Sequence, residues 1–422
     1  MPTLKTVTLG CKVNQYETEY LRQGLARLGY RDANEGEAAD LCVVNTCTVT
    51  ADGEAKSRKM IRQLGRRYPQ AEIIVMGCYA TRAEEEVAAL PGVVEVVTDK
   101  RQLPELLGRL GLLDVPSGIS SFGSRHRAYV KVQDGCRMQC SYCIIPQVRP
   151  VLSSRSVPDV LDEIRRLVDN GHREIVLTGI HLGHYGVDRW DESPGERIDL
   201  TGLVRRIVEL DGAFRVRLSS IEAVEVSDEL IALMAGRTDR ICPHLHISMQ
   251  SGSDAVLRRM RRRQSVGQFL ECCAKVRDSL DCPALTTDVI VGFPGETDED
   301  FAATCRTVRE VGFSKLHVFR FSPRQGTLAA NLPEQIPETV KQRRAVKLGE
   351  LGKQLRQQFF ERLIGRSLQV LVETPMADQP GLFVGTSGRY VPVELPSGED
   401  QVGRLVRATA AAISNDRIRA AV

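Results

Sequence analysis

Three cysteines, Cys136, Cys140 and Cys143, crowd into the run D-G-C-R-M-Q-C-S-Y-C-I-I-P with the spacing C-x3-C-x2-C. Thiols this close on one short loop either share a metal centre or are buried together, so the chain must fold around whatever the loop holds. Three thiolates can bind three irons of a [4Fe-4S] cube and leave the fourth iron without a protein ligand. The alternative is a zinc knuckle or a reduced, buried cysteine group. Zinc wants a fourth ligand, and the nearest histidine, His126, precedes the triplet at no usual zinc-finger spacing.

The bulk numbers bound the setting. A chain of 422 residues exceeds one ordinary core, and its length suggests roughly two to four domains. With 42% hydrophobic and 26% charged residues it reads as a globular chain and not as a disordered one. No apolar run approaches the ~18 residues of a membrane span, and the N-terminus lacks a signal-peptide core. A cytoplasmic protein without membrane association is expected, and twelve cysteines there should be thiols or metal ligands. Net charge is only +3, so any nucleic-acid surface must be local.

The first hundred residues alternate between strand-like and helix-like segments, which predicts βαβ units and a parallel sheet. Strands are expected at 5–9, 41–45, 72–76 and 93–97, with helices at 14–28, 52–68, from 82 and at 103–110. Cys11 follows the first strand, Cys47 the second and Cys78 the third. The carboxyl ends of strands in an open parallel sheet form its ligand-binding edge, so these distant cysteines should converge there. Gly10 and Gly77 would let the backbone pass close to a bulky group. The alternative is three unrelated buried cysteines. Cys42, Cys242, Cys272, Cys273, Cys282 and Cys305 lack metal-ligand spacing and read as packing residues.

From 128 to about 320 the alternation resumes, with strands at 128–132, 174–177, 215–218, 244–249, 284–291 and 315–319. Such units suit an open, partial (β/α)6 version of the eight-fold barrel, with its site at the C-terminal strand ends, where the Cys136 triplet falls. From Leu368 short alternating strands with Gly and Pro predict a small β-barrel.

Two cysteine triplets in this order resemble the radical SAM methylthiotransferase family. The resemblance covers the whole chain and implies an α/β architecture in three parts. These are an N-terminal cluster domain (1–113), a radical SAM barrel (122–358) and a C-terminal TRAM-like β-barrel (361–422). Thr8–Glu19, Val44–Thr50, Glu174–Gly183, Ser219–Glu222 and Thr287–Thr297 are similar to the branch that modifies threonylcarbamoyladenosine at position 37 of tRNA. The other branches act on isopentenyladenosine or on an aspartate of a ribosomal protein. A non-catalytic zinc RNA-binding protein is the rival from another class.

The resemblance implies two [4Fe-4S] clusters, one on Cys11, Cys47 and Cys78 and one on Cys136, Cys140 and Cys143. S-adenosylmethionine (SAM) would serve as radical source at the second cluster and also as methyl donor. Gly179, His181, Glu222, Gln250 and Ser251 fall where the superfamily surrounds SAM. No residue is singled out as an acid or base. Ser248, where the family usually has proline, and Pro150 and Ser153, where it has glycine and arginine, depart from the pattern on loops expected near SAM or substrate. Arg320 and Arg324, after the sixth barrel strand, are candidate partners for the threonyl carboxylate.

The implied partners are a tRNA anticodon loop and an electron donor such as flavodoxin or ferredoxin, with the protein a monomer. Arg258, Arg259, Arg261, Arg262 and Arg263, and the basic helix from Lys341 to Arg366, read either as solvated faces or as RNA phosphate contacts. From Phe360 onward seven Arg balance seven Asp plus Glu, so RNA binding by the small barrel would need a local face.

Overall fold

A computed structural model describes residues 1–123, 125–189 and 198–422. The N-terminal sheet is parallel throughout, in the order Arg31–Asp32, Thr3–Thr8, Leu41–Thr46, Glu72–Gly77, Val93–Val97. The Arg31–Asp32 edge pairing is too short to leave a period in the sequence. Leu41–Thr46 is buried along its whole length, as a central parallel strand covered on both faces should be. One face packs Val44, Ile73 and Val75 beneath the helix Ala51–Arg67, with Ile61 and Leu64. The other packs Val43 and Met76 beneath Lys12–Arg27, and this core runs unbroken into the next domain. Thr50 caps Ala51–Arg67 by accepting the Gly53 N–H at 3.1 Å, worth about 1 kcal/mol.

The middle domain has six principal parallel strands in chain order: Arg127–Asp134, Glu174–Gly179, Arg215–Leu218, His244–Ile247, Ala284–Val291 and Lys315–Arg320. The hydrogen-bonding divides into two sheets. Ser220–Ile221 starts the second, joined to the first through the Val216–Ile241 bridge. Ser153–Ser154 pairs antiparallel to the free edge of the first strand. The barrel therefore stays open among the described residues, as expected of a partial (β/α)6 fold.

The small C-terminal barrel closes in the order Ser367–Pro375, Leu382–Ser387, Pro392–Pro396, Arg417–Ala421, Leu405–Ser414. The helix Glu338–Leu363 runs continuously through 358–361, the expected junction. Its Leu348, Leu351 and Leu355 join the main core, while Phe359, Phe360 and Leu363 plug the small barrel. Within this helix, the expectation of a solvated or RNA-facing basic stripe is corrected at two positions. Lys341 is buried and donates to Phe321 O at 2.9 Å, and Arg344 pairs with Glu296 at 2.6 Å.

The small barrel docks on the amino-terminal end of the middle domain's strands, opposite the cysteine loops. Glu174, fully buried, accepts from Arg215 Nε at 2.7 Å and Arg217 Nε at 2.8 Å, with Arg127 Nε at 3.1 Å. Held this way, Arg215 donates to Gln369 O and Thr386 O, and Arg217 to Gly388 O and Ser387 O. The Arg217 guanidinium also lies 4.5 Å from the Tyr390 ring centre. Glu174→Gln would leave these buried cations short of an anion. It should cost about 3–5 kcal/mol, read as a lower urea midpoint and faster proteolytic release of the C-terminal barrel.

Candidate active site

Both cysteine triplets sit at carboxyl strand ends, for local reasons that can be named. Cys11, three residues past the strand Thr3–Thr8, is the N-cap of Lys12–Arg27, and Cys78, directly after Glu72–Gly77, opens the short helix Cys78–Arg82. Gly10 and Gly77 make these turns with φ of +106° and +102°, a conformation that side-chain-bearing residues rarely adopt. A Cβ on Gly10 would lie 3.3 Å from Cys47 Sγ, so the first and second strand ends touch as expected. A Cβ on Gly77 would instead strike the Thr46 backbone at 2.4 Å. Burial first, and a neighbouring Cys78 thiolate to a lesser degree, raise the Cys11 and Cys47 thiols. Asn14 ties the rim together: its amide donates to Leu9 O and Thr46 O, and its Oδ1 is 3.7 Å from Cys11 Sγ.

The second triplet follows Arg127–Asp134 and lines a cleft with Tyr142, His181, Glu222, Ser248, Gln250 and Arg262. Burial raises the Cys140 and Cys143 thiols, Cys143 to about 12, so they ionise when a positive partner takes up the charge. Arg262 opposes this shift at Cys140, lying 3.7 Å from its sulfur. His181 Nδ1 is 3.6 Å from Cys136 Sγ, and its Nε2 meets Glu225 at 2.7 Å. Burial alone would lower His181, but the bonds to Cys136 and Glu225 outweigh it and raise it to about 9. His184 stacks on it at 3.7 Å; burial and then the His181 charge push that ring down to about 4.

The other expected SAM-site residues divide. Gln250 lines the cleft at φ +66°, a strain of roughly 1–3 kcal/mol held by bonds to Asp288 O and from the Ile290 N–H. Glu222 lines it too, paired with Arg262. Gly179 lies behind the cleft wall and leaves room for Gln133, which accepts the His181 N–H at 2.8 Å. Ser251 is a correction: it turns inward, 3.4 Å from Thr304 Oγ1, and does not reach the cleft. Ser248 lines the cleft, and its N–H donates to Ile221 O at 3.1 Å, a bond proline could not make. Pro150 and Ser153 lie at the junction with the N-terminal domain instead.

The two arginines expected at the substrate are already engaged. Arg324 is buried against Glu54 and Thr48 of the N-terminal domain, which corrects its assignment to a substrate carboxylate. Arg320 is half-exposed and pairs with Glu338. Within the 258–263 run, Arg262 is a cleft wall and not a phosphate contact. The sequence reading missed Arg149, Gln133, Arg262 and Glu225 as site residues. Only Arg149 carried a signal, its place six residues after Cys143.

A cysteine triplet at the mouth of an open (β/α)6 barrel defines the radical SAM class. Residues 130–308 match the Radical SAM superfamily, and residues 3–99 match the uncharacterized protein family UPF0004. A threonylcarbamoyladenosine tRNA methylthiotransferase MtaB of Bacillus subtilis is 39% identical, over 96% of this chain and 93% of that protein. A tRNA-2-methylthio-N(6)-dimethylallyladenosine synthase of Mycobacterium avium is 38% identical, over 92% of this chain and 57% of that protein. The solved radical SAM methyltransferase TsrM of Kitasatospora setae shares the fold, with a TM-score of 0.56 at 14% identity over 78% of this chain and 75% of that one.

The chain belongs to the radical SAM tRNA methylthiotransferase family. It is an enzyme that transfers methylthio groups and uses SAM and [4Fe-4S] clusters. The residues present fit such cofactors, with three thiols on one loop facing a cleft walled by Gln250, Glu222, His181 and Arg262. No described helix is long and apolar enough to cross a membrane.

Proposed function

We propose that this enzyme methylthiolates carbon 2 of the adenine in threonylcarbamoyladenosine at position 37 of tRNA, using two [4Fe-4S] clusters. The observation that carries this reading is the pair of cysteine rims brought into contact. Cys78 of the first packs against Ile144 and Val148, which directly follow the second triplet. Cys136, Cys140 and Cys143 would hold the radical SAM cluster, and Cys11, Cys47 and Cys78 the cluster from which sulfur is delivered. When bound, the Cys136/Cys140/Cys143 cluster would supply the electron that cleaves SAM, and the Cys11/Cys47/Cys78 cluster would supply the sulfur, methylated by another SAM.

The protein's own task is to hold the two loops face to face and to admit an unstacked base, which an anticodon loop offers more readily than a duplex. Along the fourth and fifth barrel strands, Leu245, Ile247, Leu285 and Val289 pack outward into the main core. Of the alternate residues, His246, Thr286 and Asp288 are polar and turn to the lumen, while Ala284 and Ile290 on the same face are apolar. His246 lies 3.4 Å from Asp288 and 3.0 Å from Thr286 Oγ1, with the His317 ring centre 5.8 Å away. These polar groups suit the hydroxyl and amide groups of the threonylcarbamoyl substituent better than a prenyl chain, and its carboxylate would need a cation from elsewhere, since Asp288 is itself an anion. Arg320 remains a candidate carboxylate partner only by its place at the strand end: it shares the outward parity of Leu316 and Val318, and its half-exposed pair with Glu338 is of the weak, exchangeable kind. An electron donor such as flavodoxin or ferredoxin and action as a monomer complete the reading.

Mass spectrometry of tRNA nucleosides from a gene-deletion strain tests the substrate. The 2-methylthio form of threonylcarbamoyladenosine should vanish, the unthiolated base should remain, and methylthiolated isopentenyladenosine should be unchanged. Loss of the isopentenyl product instead would overturn the substrate assignment and leave the cluster chemistry standing.

A further inference from the structure

Arg149 closes the short helix Ile145–Val148 that follows the radical SAM triplet. Its main chain belongs to that loop: its carbonyl accepts the Cys136 N–H at 3.2 Å, and its own N–H donates to Ile145 O at 2.8 Å. Its side chain belongs to the other domain, because Nε points at Cys78 Sγ, 3.4 Å away. The remaining guanidinium donors are all occupied. Nη1 bonds Glu17 at 2.7 Å and Asp134 at 2.8 Å, and Nη2 bonds Glu17 at 2.8 Å and Asn14 Oδ1 at 3.2 Å.

This arrangement is costly to build and hard to deform. A guanidinium carries five N–H donors in a rigid fork, and here each has a partner. The group is 2% exposed, so an unpaired donor would bear its full desolvation penalty. Lys131 adds a second cation to the same carboxylates, 2.9 Å from both Glu17 and Asp134. Two cations thus bond two anions, with the buried Lys100 ammonium a third cation close by, and the donor at Nε is left over for sulfur. The same Asn14 that Arg149 grips also reaches Cys11 and the Thr46 carbonyl just before Cys47. One side chain is therefore linked, directly or through Asn14, to every corner of the N-terminal rim.

We infer that Arg149 is a positioning residue shared by the two cysteine triplets: its main chain fixes Cys136, while its guanidinium fixes Cys78 and tunes the cluster that Cys78 holds. The inference rests on the two-cluster reading above. A hydrogen bond from a cation to a ligating thiolate stabilises the electron-rich reduced state, so it moves the potential of that cluster upward. Lysine cannot replace it, since one ammonium cannot meet two carboxylates, an amide oxygen and a sulfur in these directions.

The test uses full-length protein with Cys136, Cys140 and Cys143 replaced by alanine, so that only the N-terminal cluster is loaded, in a redox titration followed by electron paramagnetic resonance. Arg149→Gln should shift the midpoint potential to more negative values, and Arg149→Lys should do the same if the glutamine variant fails to fold. Lys131→Gln disturbs the same carboxylates without touching sulfur and should shift it far less. An unchanged potential in the Arg149 variants, or an equal shift in Lys131→Gln, overturns the inference and leaves the two-cluster reading intact. A parent protein that loads no [4Fe-4S] cluster overturns both.

Discussion

Replacing Cys136, Cys140 and Cys143 together by alanine is expected to abolish reductive cleavage of SAM while leaving the fold intact. Cys140 and Cys143 are only half-buried, Cys136 is buried at the edge of the open cleft, and the fixed points of their loop are backbone bonds, Ser141 N–H to Met260 O and Ala329 N–H to Ser141 O. Truncating three thiols there creates little cavity, so circular dichroism and the melting transition should change little. Iron content should fall by about four atoms per chain, the complement of one cube. 5′-Deoxyadenosine measured by chromatography should drop to background. Formation at the parental rate would show that the loop does not hold the radical-generating cluster.

Replacing Cys11, Cys47 and Cys78 by alanine separates the two halves of the chemistry. The second triplet and its cleft residues come from the middle domain and stay in place, so cleavage of SAM should persist. No methylthiolated nucleoside should form, because on the proposed assignment these cysteines hold the cluster that delivers sulfur. The informative measurement is the ratio of 5′-deoxyadenosine to thiolated product, which should rise without limit in this variant. Undiminished product would refute the division of labour, and loss of SAM cleavage would show that the two rims do not work independently. The second result has a structural route, since Arg149 spans both rims and could carry damage at Cys78 back to Cys136.

Strand ends were readable in the sequence because parallel strands leave a simple trace, an apolar run that leads to a cysteine, with Gly just before Cys11, Cys78 and Cys136 and Thr46 before Cys47. That is why Cys11, Cys47, Cys78 and the later triplet are found at one kind of edge. What could not be read were contacts whose partners lie far apart in sequence. Arg324 looked like a free rim cation because Glu54, its partner, stands 270 residues earlier. Arg262 looked like one charge in a basic run, yet it folds inward toward Cys140 and Glu222. Lys341 and Arg344 read as a solvated stripe because helical periodicity does not show where a neighbouring loop will cover the face. Ser251 was misplaced for a similar reason: one residue's turn past Gln250 sends it away from the cleft. In each case the chemistry of the side chain was legible and its partner was not.

The seating of the small barrel turns the middle domain into a ruler. Its first strand, eight residues long, separates the Glu174 end from the cysteine end. At ~3.3 Å per residue and the usual barrel tilt this spans roughly 20 Å. On the reading that the small barrel holds RNA, a molecule offering one base at the cysteine mouth must reach along that whole length. A single splayed nucleotide is far too short for this, whereas a loop with its stem attached has the necessary reach. Discrimination among RNAs can then depend on the distance from stem to target base, a quantity fixed by the strands and independent of any base-reading side chain.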